Sequence, residues 1–468
     1  MSTSNEQWLG FAKKALDWFI SIMGESEWHR RRKNVVDYFH AIKAKTFTEA
    51  DVQTGDFAKL FDPIAVYSDW ISWYMYLIES TFERPLCNDP FQWTRIFPFF
   101  GTIGRDIMAL KSMPGIEQRL KSMFNEKQNQ PDSTLFELAV ALLYHRNKWS
   151  VEFLEESKDS KTPDFEVSKN GLKYWVECKR LAKITGYAET ERQEWQKRSK
   201  HLFNAMRISK ITAYAQIVFK VPIEETDEII LGAAFTAYVK LGKMKDGSVL
   251  ENDQVQFRAT ILNMANINKI LSDSPTRPNS PQMIKVLIGH FDSHGNYTPL
   301  IAPHRIDTYN PDDELFVLND FYGEVHSAYL AKWECIAKES IGRKAKDIKK
   351  SLSKALKQIP KEGEGVIHIG YETVMGPVVE LERHKKIQET VHSFGFDNKK
   401  IESIFCNTMQ FLTTPEGFDC AETTIYFERT KDAVLSNILL FDLPATESDL
   451  THWEADIALR SNADKPIV

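Results

Sequence analysis

The fold is decided by residues 162–180, which read TPDFEVSKNGLKYWVECKR. In this stretch, two runs of alternating β-prone residues flank the dipeptide Asn170-Gly171. Asn-Gly between two such runs is the strongest short-range signal for a β-hairpin with a two-residue type I′ turn, because both central residues of that turn need a positive φ. The pattern therefore predicts a tight hairpin whose loop is formed by residues 170 and 171.

The predicted turn also sets which residues face each other across the hairpin. Counting outward from the loop places Asp164 opposite Glu177 and Glu166 opposite Trp175. Opposed residues share a face with Cβ atoms about 4.5–5.5 Å apart, and like charges there are destabilising unless something compensates them. The two-residue period of a strand puts Lys179 on the same face as Glu177. We therefore expect a carboxylate pair beside an ammonium group. Glu166 is either an extra ligand or a rim residue, and the rim is favoured.

These residue types in this arrangement favour phosphodiester hydrolysis. Two hard carboxylate ligands suit Mg²⁺, for which Mn²⁺ can substitute, and Mg²⁺ keeps several waters that a substrate phosphate can replace. An adjacent ammonium group can orient the attacking water, help to deprotonate it or stabilise the charged phosphate. The hairpin therefore predicts a metal site in which Asp164 and Glu177 bind the ion and Lys179 assists the reaction.

The order Pro163-Asp164, followed by Glu177-x-Lys179 on the next strand, resembles the PD-(D/E)xK nuclease superfamily, which has the restriction-endonuclease-like fold. The resemblance covers residues 133–180. It implies an α/β fold with a mixed central sheet flanked by helices, in which a helix precedes three antiparallel strands. It also implies that the Asp and the Glu bind metal and that the Lys assists the water.

The helix that precedes the strands often supplies an additional acid in this superfamily. The sequence predicts that helix over residues 133–146, and Glu137 is the only charged residue in its apolar run, residues 135–144. A single acid on a nearly all-apolar helix is costly to bury without a partner. Glu137 is therefore the candidate for the additional acid, with catalytic and metal-binding roles.

Composition and polarity divide the chain into four parts. The polar stretch 125–133 contains Pro and is typical of a linker, and aromatic residues before it, such as Phe19, recur at helix spacing and are expected in a core. Two later segments can continue the nuclease fold, residues 189–221 or residues 338–370, and the second makes residues 181–335 a large insertion. The predicted parts are a helical N-terminal domain (1–128), a nuclease core (129–225), an insertion or accessory α/β region (226–335) and a C-terminal α/β region that completes the fold or contacts substrate (336–468).

Two stretches are strongly basic within an acidic protein. Residues 179–220 and residues 332–361 each hold ten Lys or Arg against three acids. The second stretch is expected to form a basic amphipathic helix over residues 331–358, and cations backed by an apolar face suit contact with a phosphate backbone. A solvated helix face explains such a charge run equally well. The candidate nucleic-acid ligands are Arg180, Lys183, Lys197, Lys200, Arg343, Lys346, Lys350, Lys354 and Lys357.

Composition and missing motifs exclude several classes of protein. With 43% hydrophobic residues the 468-residue chain is globular, and a net charge of −6 excludes binding of nucleic acid by bulk positive charge. The five Cys form no C-x-x-C pair, so neither a disulfide framework nor a zinc knuckle is expected. The sequence contains no Walker A, dinucleotide-binding or nucleophile-elbow motif. Without a signal sequence or a long apolar run, we expect a cytoplasmic protein with no membrane partner.

Taken together, these patterns predict a Mg²⁺-dependent nuclease. DNA is favoured over RNA because most members of the superfamily cut DNA, and the large accessory regions resemble those of bacterial restriction or anti-phage effectors. A homo-oligomer and a protein partner recruited by the N-terminal domain are further expectations. Three alternatives stay open: a catalytically silent nuclease-fold protein that binds nucleic acid or serves in assembly, an enzyme on another phosphate substrate, and a nuclease active only with a partner.

Overall fold

The computed structural model of the chain describes residues 3–43, 67–155, 162–181, 185–244, 247–428, 434–442 and 450–463. These residues form a mixed α/β structure with two mixed β-sheets flanked by helices. The α/β class expected from the sequence is thereby confirmed. Within the described ranges, no helix combines the length and the apolar character that crossing a membrane requires.

Before the first strand, the described residues form helices and one short 3₁₀ turn. A helix begins where the sequence offers a cap: the Asp89 carboxylate accepts from the backbone N–H groups of Phe91 and Gln92, and Pro90 takes the first helical position. The first six helices are α1 (Thr3–Met23), α2 (Glu25–Lys43), α3 (Trp70–Glu83), α4 (Pro90–Arg105), α5 (Ile107–Ser112) and α6 (Ile116–Asn125).

The N-terminal helices pack closely through their apolar faces. Phe19 and Trp73 are buried, as their spacing in the sequence predicts. Gly104 lets α1 and α4 touch, because a Cβ atom at this position would lie 1.7 Å from the backbone oxygen of Phe11. A larger residue at position 104 would therefore separate the two helices.

The first sheet has six strands, and it carries the candidate site. Its strands are β1 (Ser150–Phe153), β2 (Phe165–Lys169), β3 (Leu172–Arg180), β9 (Glu364–Glu372), β10 (Lys400–Thr414) and β11 (Gly417–Glu428), paired in that order. The strands β1, β2 and β3 are antiparallel neighbours, β3, β9 and β10 run parallel, and β11 is antiparallel to β10. Helix α7 (Pro131–Arg146) covers one face, and its buried side chains belong to the same hydrophobic cluster as those of the N-terminal helices.

The hairpin of β2 and β3 has the register that its turn predicts. Glu166 pairs with Trp175. Asn170 has a φ of 51° and Gly171 a φ of 81°, so both central residues have the positive φ that a type I′ turn requires. The turn dipeptide therefore determines the pairing of these two strands locally.

Of the two candidate continuations of this sheet, the structure contains the later one. Strand β3 pairs with β9, whereas the earlier segment supplies β4 (Ala213–Phe219), which pairs with β6 (Val255–Ile261) and β8 (Asp320–Cys335) in a separate sheet. Strand β4 thus lies outside the sheet of the hairpin, although the range 129–225 placed it in the nuclease core. A parallel pair needs a crossover connection, and here the crossover contains a second sheet with its own buried cluster.

The second sheet is built from the chain between β3 and β9. Its strands pair in the order β5 (Leu250–Glu251), β6, β4, β8 and β7 (Asn296–Thr308), and the helices around it are α8 (Gly186–Ser209), α9 (Ile230–Lys240), α10 (Met264–Asp273) and α11 (Pro281–Ile288). The connection between β7 and β8 reaches back to the N-terminal helices, where the Tyr76 hydroxyl donates to the backbone oxygen of Leu315 at 2.6 Å. The second sheet therefore packs onto the same body as the first.

Two short helices lead from the second sheet into β9. They are α12 (Lys338–Lys344) and α13 (Lys349–Leu356), and α14 (Pro377–Ser393) and α15 (His452–Ala463) follow later. The expectation of one basic helix over residues 331–358 is wrong, because residues 331–335 complete β8, where Ala331 pairs with Ala215, and the remaining residues form two separate helices. The buried strand position of Ala331 outweighs its high helix propensity.

Candidate active site

The candidate catalytic residues lie where the antiparallel hairpin meets the parallel part of the first sheet. Glu177 and Lys179 stand on β3 in register with Ile367 and Ile369 of β9. Asp164 immediately precedes β2. Asp164 and Glu177 are buried, and Lys179 is partly exposed. The fold thus brings the three predicted residues to one place.

One detail of the predicted geometry is corrected by the structure, because Asp164 does not continue the regular ladder opposite Glu177. The paired register ends at Phe165 and Val176, and the backbone N–H of Asp164 donates to the oxygen of Val176 at 3.1 Å, one residue out of step. Its Oδ2 accepts from the backbone N–H of Cys178 at 2.7 Å. A local offset of this kind re-aims a side chain, as a β-bulge does. The carboxylate of Asp164 is therefore fixed against β3 by a backbone donor.

Glu177 is held by two polar side chains. Its Oε1 forms an ion pair with the Nζ of Lys179, and its Oε2 accepts from the Nε2 of Gln358 at 3.2 Å. The Oε1 of the same glutamine accepts from the Nζ of Lys179 at 2.7 Å. Gln358 Nε2 also donates to the backbone oxygen of Thr162 at 3.0 Å. One amide therefore fixes the acid and the ammonium group relative to each other.

Glu137 of α7 reaches this region through an arginine. Arg119 of α6 places its Nη1 3.3 Å from Oε2 of Glu137 and its Nη2 3.7 Å from Oδ1 of Asp164. The Nη2 atom also donates to the backbone oxygen of Asp164 at 2.9 Å. Arg119 is only 5% exposed, so these contacts are made away from bulk water. The predicted additional acid is thus near the site, with a guanidinium between it and Asp164.

Arg119 and Gln358 were not predicted as site residues, although the sequence carried a signal for Arg119. Arg119 takes a position in the apolar stripe of α6, since Ile116, Leu120 and Met123 are buried with it at helix spacing. A cation on such a stripe needs an anionic partner, and this requirement was the signal. Gln358 follows the apolar face of α13 directly, but its place became defined only when β9 paired with β3.

Burial and repulsion set the protonation of the acids. Burial raises the pKa of Asp164, and the charges of Arg119 and Lys179 oppose that shift. Burial, reinforced by the charge of Asp164 and to a smaller extent by that of Glu137, raises the pKa of Glu177 to about 9. Burial disfavours the charged form of Lys179, but the carboxylates of Glu177 and Asp164 outweigh it and raise the pKa of the lysine. The raised pKa values of the two acids therefore come mainly from burial, which the nearby cations offset only in part.

Asp164 and Glu177 suit a divalent cation that keeps most of its water ligands. Their oxygens are the hard ligands that Mg²⁺ prefers, and a cation would relieve the repulsion that helps to raise the pKa of Glu177. In the part of the chain that the structure describes, no three His, Cys, Asp or Glu side chains are grouped so as to hold a metal ion. The donor set therefore fits a site with two protein carboxylates and does not fit a closed protein cage.

Most cations of the basic stretch before β9 are exposed to solvent, whereas Lys344 is buried and paired with Glu191. The apolar residues Ala345, Ile348, Leu352 and Leu356 are buried, as the amphipathic pattern predicts. Among the exposed cations here are Arg343, Lys346, Lys350, Lys354 and Lys357, of which Arg343 forms an ion pair with Glu224 at 2.8 Å. Lys357 directly precedes Gln358, so this row of cations, called the basic stripe below, ends at the candidate active site.

The other predicted nucleic-acid ligands lie elsewhere. Lys197 and Lys200 are exposed on α8, beside the second sheet, and Lys197 forms an ion pair with Glu194 at 2.6 Å. Arg180 has a side chain that is 5% exposed and is paired with Glu372, so its guanidinium is not presented to solvent as the cations of the basic stripe are. Lys183 lies outside the described residues. The half-buried rim residue Glu166 forms an ion pair with Lys173 at 2.6 Å.

Comparison of this chain with protein-family models, with curated proteins and with solved structures gives no match in any of the three. The geometry described above therefore rests on the residues of this chain alone.

Proposed function

We propose that this protein is a Mg²⁺-dependent nuclease that hydrolyses phosphodiester bonds of DNA. The observation that carries the proposal is the grouping of Asp164, Glu177 and Lys179 at the end of a hairpin beside a parallel strand, with both acids buried. Buried carboxylates whose pKa is raised, next to a fixed ammonium group, are typical of functional sites. The order of these residues in the sequence also resembles that of the PD-(D/E)xK superfamily.

Each side chain of the candidate active site has its own proposed role. Asp164, held by the Cys178 N–H, and Glu177, held by Gln358, would bind the metal ion. Lys179 is fixed by its ion pair with Glu177 and its hydrogen bond to Gln358, so its ammonium group can orient a water or stabilise negative charge on the phosphate. A bound Mg²⁺ supplies positive charge to the phosphate oxygens and lowers the pKa of its water.

The basic stripe favours the interpretation that the substrate is a polyanion. Its five exposed cations lead along α12 and α13 to Gln358 in the site, and phosphate contacts of Lys and Arg provide most non-specific affinity for nucleic acid.

We expect Lys354→Gln to weaken DNA binding for all sequences and to reduce the slope of log affinity against log salt by about one. A fluorescence anisotropy titration at several salt concentrations measures this slope, and Lys121→Gln, an exposed cation on α6, is the control.

The preference for DNA over RNA and a role in bacterial restriction or anti-phage defence follow from the resemblance and the large accessory regions. Cleavage of supercoiled DNA, linear DNA and RNA by the purified chain in Mg²⁺, Mn²⁺ or EDTA tests the activity. We expect metal-dependent cutting of DNA that Asp164→Asn and Lys179→Met lose. Glu166→Gln, a change in the same hairpin, is expected to keep the activity because its carboxylate pairs with Lys173 at the rim.

The proposal fails if all variants cut equally, or if folded wild-type protein cuts nothing with either metal. The second result would favour a catalytically silent nucleic-acid-binding protein. One observation is consistent with that alternative, since no group of three potential metal ligands occurs among the described residues. Activity that appears only after addition of a cell extract would instead indicate a nuclease that needs a partner.

A further inference from the structure

Arg119 makes the N-terminal helices part of the candidate active site. It extends from α6 and contacts Glu137 of α7 through one terminal nitrogen and Asp164 through the other, at 3.3 Å and 3.7 Å. A guanidinium group has five N–H donors in a rigid fork, and it stays charged in a protein. Arg119 is therefore a fixed positive charge shared by two acids that come from different elements.

Charges of opposite sign alternate across the site. Glu137 contacts Arg119, and Arg119 contacts Asp164. The charge of Lys179 acts on Asp164, and Lys179 forms an ion pair with Glu177. The charge of Lys127 also acts on Asp164, so the three acids lie among three cations. Arg119 thus occupies the side of Asp164 that faces Glu137.

In two-metal phosphodiester sites, the two ions are about 3.5–4 Å apart and are bridged by shared acids. Here the acids that would hold a second ion, Glu137 and Asp164, are bridged by a guanidinium. We propose that Arg119 takes the place of a second metal ion, so that the site binds a single divalent cation on Asp164 and Glu177. This inference rests on the proposed function. It also makes Glu137 a partner of Arg119 and not the metal ligand that the sequence suggested.

The environment of Arg119 favours this permanent role. Its side chain is 3% exposed, and its guanidinium lies 5.9 Å from the ring centre of Phe153 on β1. The hydrogen bond from Nη2 to the backbone oxygen of Asp164 does not depend on the state of the carboxylate, so it persists when a metal binds. Arg119 is therefore a positioning residue that fixes Asp164 and excludes a second ion.

Mn²⁺ binding to the full-length chain without nucleic acid tests the inference. Electron paramagnetic resonance of free Mn²⁺, with calorimetry, gives the number of bound ions. We expect one Mn²⁺ per wild-type chain, one in Glu137→Gln, and affinity that falls by more than about tenfold in Asp164→Asn, which removes a ligand. We expect Arg119→Gln to bind a second ion on the freed acids. Lys121→Gln changes an exposed cation on the same helix and should match the wild type.

The outcomes separate this inference from the proposed function. Two Mn²⁺ ions on the wild type, or the loss of a bound ion in Glu137→Gln, would overturn the role of Arg119 and leave the nuclease proposal intact. Absence of Mn²⁺ binding to folded wild-type protein would overturn both. The count on the wild type and on Glu137→Gln decides the question even if Arg119→Gln does not fold.

Discussion

Replacing Glu177 by glutamine should stabilise the metal-free protein while it removes the proposed metal site. Glu177 is fully buried, and its burial together with the charge of Asp164 raises its pKa to about 9. Glutamine has nearly the same shape and keeps one oxygen, which can accept from Lys179, while its NH2 group takes the place of the oxygen that accepts from Gln358. The substitution therefore removes the cost of the charge and retains most of the packing.

The size of the effect follows from the difference in pKa between the folded and unfolded chain. The pKa of Glu177 is about 9 in the fold against an ordinary value of 4.5, so the folded state holds a proton that the unfolded chain releases above pH 4.5. The free energy of unfolding consequently falls as pH rises from 4.5 towards 9. At about 1.4 kcal/mol per pH unit, the loss is roughly 3 kcal/mol at pH 7 and roughly 5 kcal/mol at pH 8.

Thermal unfolding in EDTA at pH 5 and pH 8 measures this difference. A chain of 468 residues has an unfolding entropy of about 1 kcal/mol/K, so 5 kcal/mol corresponds to roughly 5 °C in Tm. We expect Glu177→Gln to unfold within about 1 °C of the wild type at pH 5 and about 5 °C above it at pH 8. Glu166→Gln is the control, because a half-exposed ion pair contributes little to stability.

A Tm for Glu177→Gln that equals or falls below the wild-type value at pH 8 would refute the reasoning. A gain of the same size at pH 5 and pH 8 would also contradict it, since the effect would then come from packing and not from charge. Saturating Mg²⁺ provides a second check, because it should raise the Tm of the wild type and have little effect on the variant.

Three further predictions concern acid stability, helix packing and catalysis. Burial lowers the pKa of His368 to about 4, so the contribution of the neutral imidazole to stability is complete above pH 6.5 and is lost as pH falls towards 4. In His368→Asn, the urea midpoint of unfolding should therefore depend less on pH over that range. Gly104→Ala should lower the urea midpoint, because the added Cβ would meet the backbone of Phe11 and separate α1 from α4. The free energy of unfolding should fall by about 1–3 kcal/mol. Gly10→Ala is the control, because the space around Gly10 is open. Gln358→Ala should reduce the rate of DNA cleavage by about tenfold or more, because the amide positions Lys179. The circular dichroism spectrum should be unchanged. A wild-type rate of cleavage would exclude this positioning role.

The sequence by itself determined the local part of the site. Asn170 and Gly171 accept the positive φ that a two-residue turn needs, so they set the pairing of β2 with β3 and the face that Glu177 shares with Lys179. The single acid on the apolar run of α7 was also visible, because burying it requires a partner. Interactions between residues close in the chain depend on few degrees of freedom, and pattern rules describe them well.

Only the tertiary structure decided which distant residues complete the site. Two segments had strand patterns that suited the place beside β3, and the choice of β9 depended on long-range pairing across an entire second sheet. The offset at Asp164 arises where the hairpin ends. Arg119 and Gln358 come from opposite sides of the hairpin in the sequence, and packing of α6 and α13 against the first sheet brings Arg119 to Asp164 and Gln358 to Glu177. Such encounters depend on the packing of the whole chain, which spacing in the sequence does not encode.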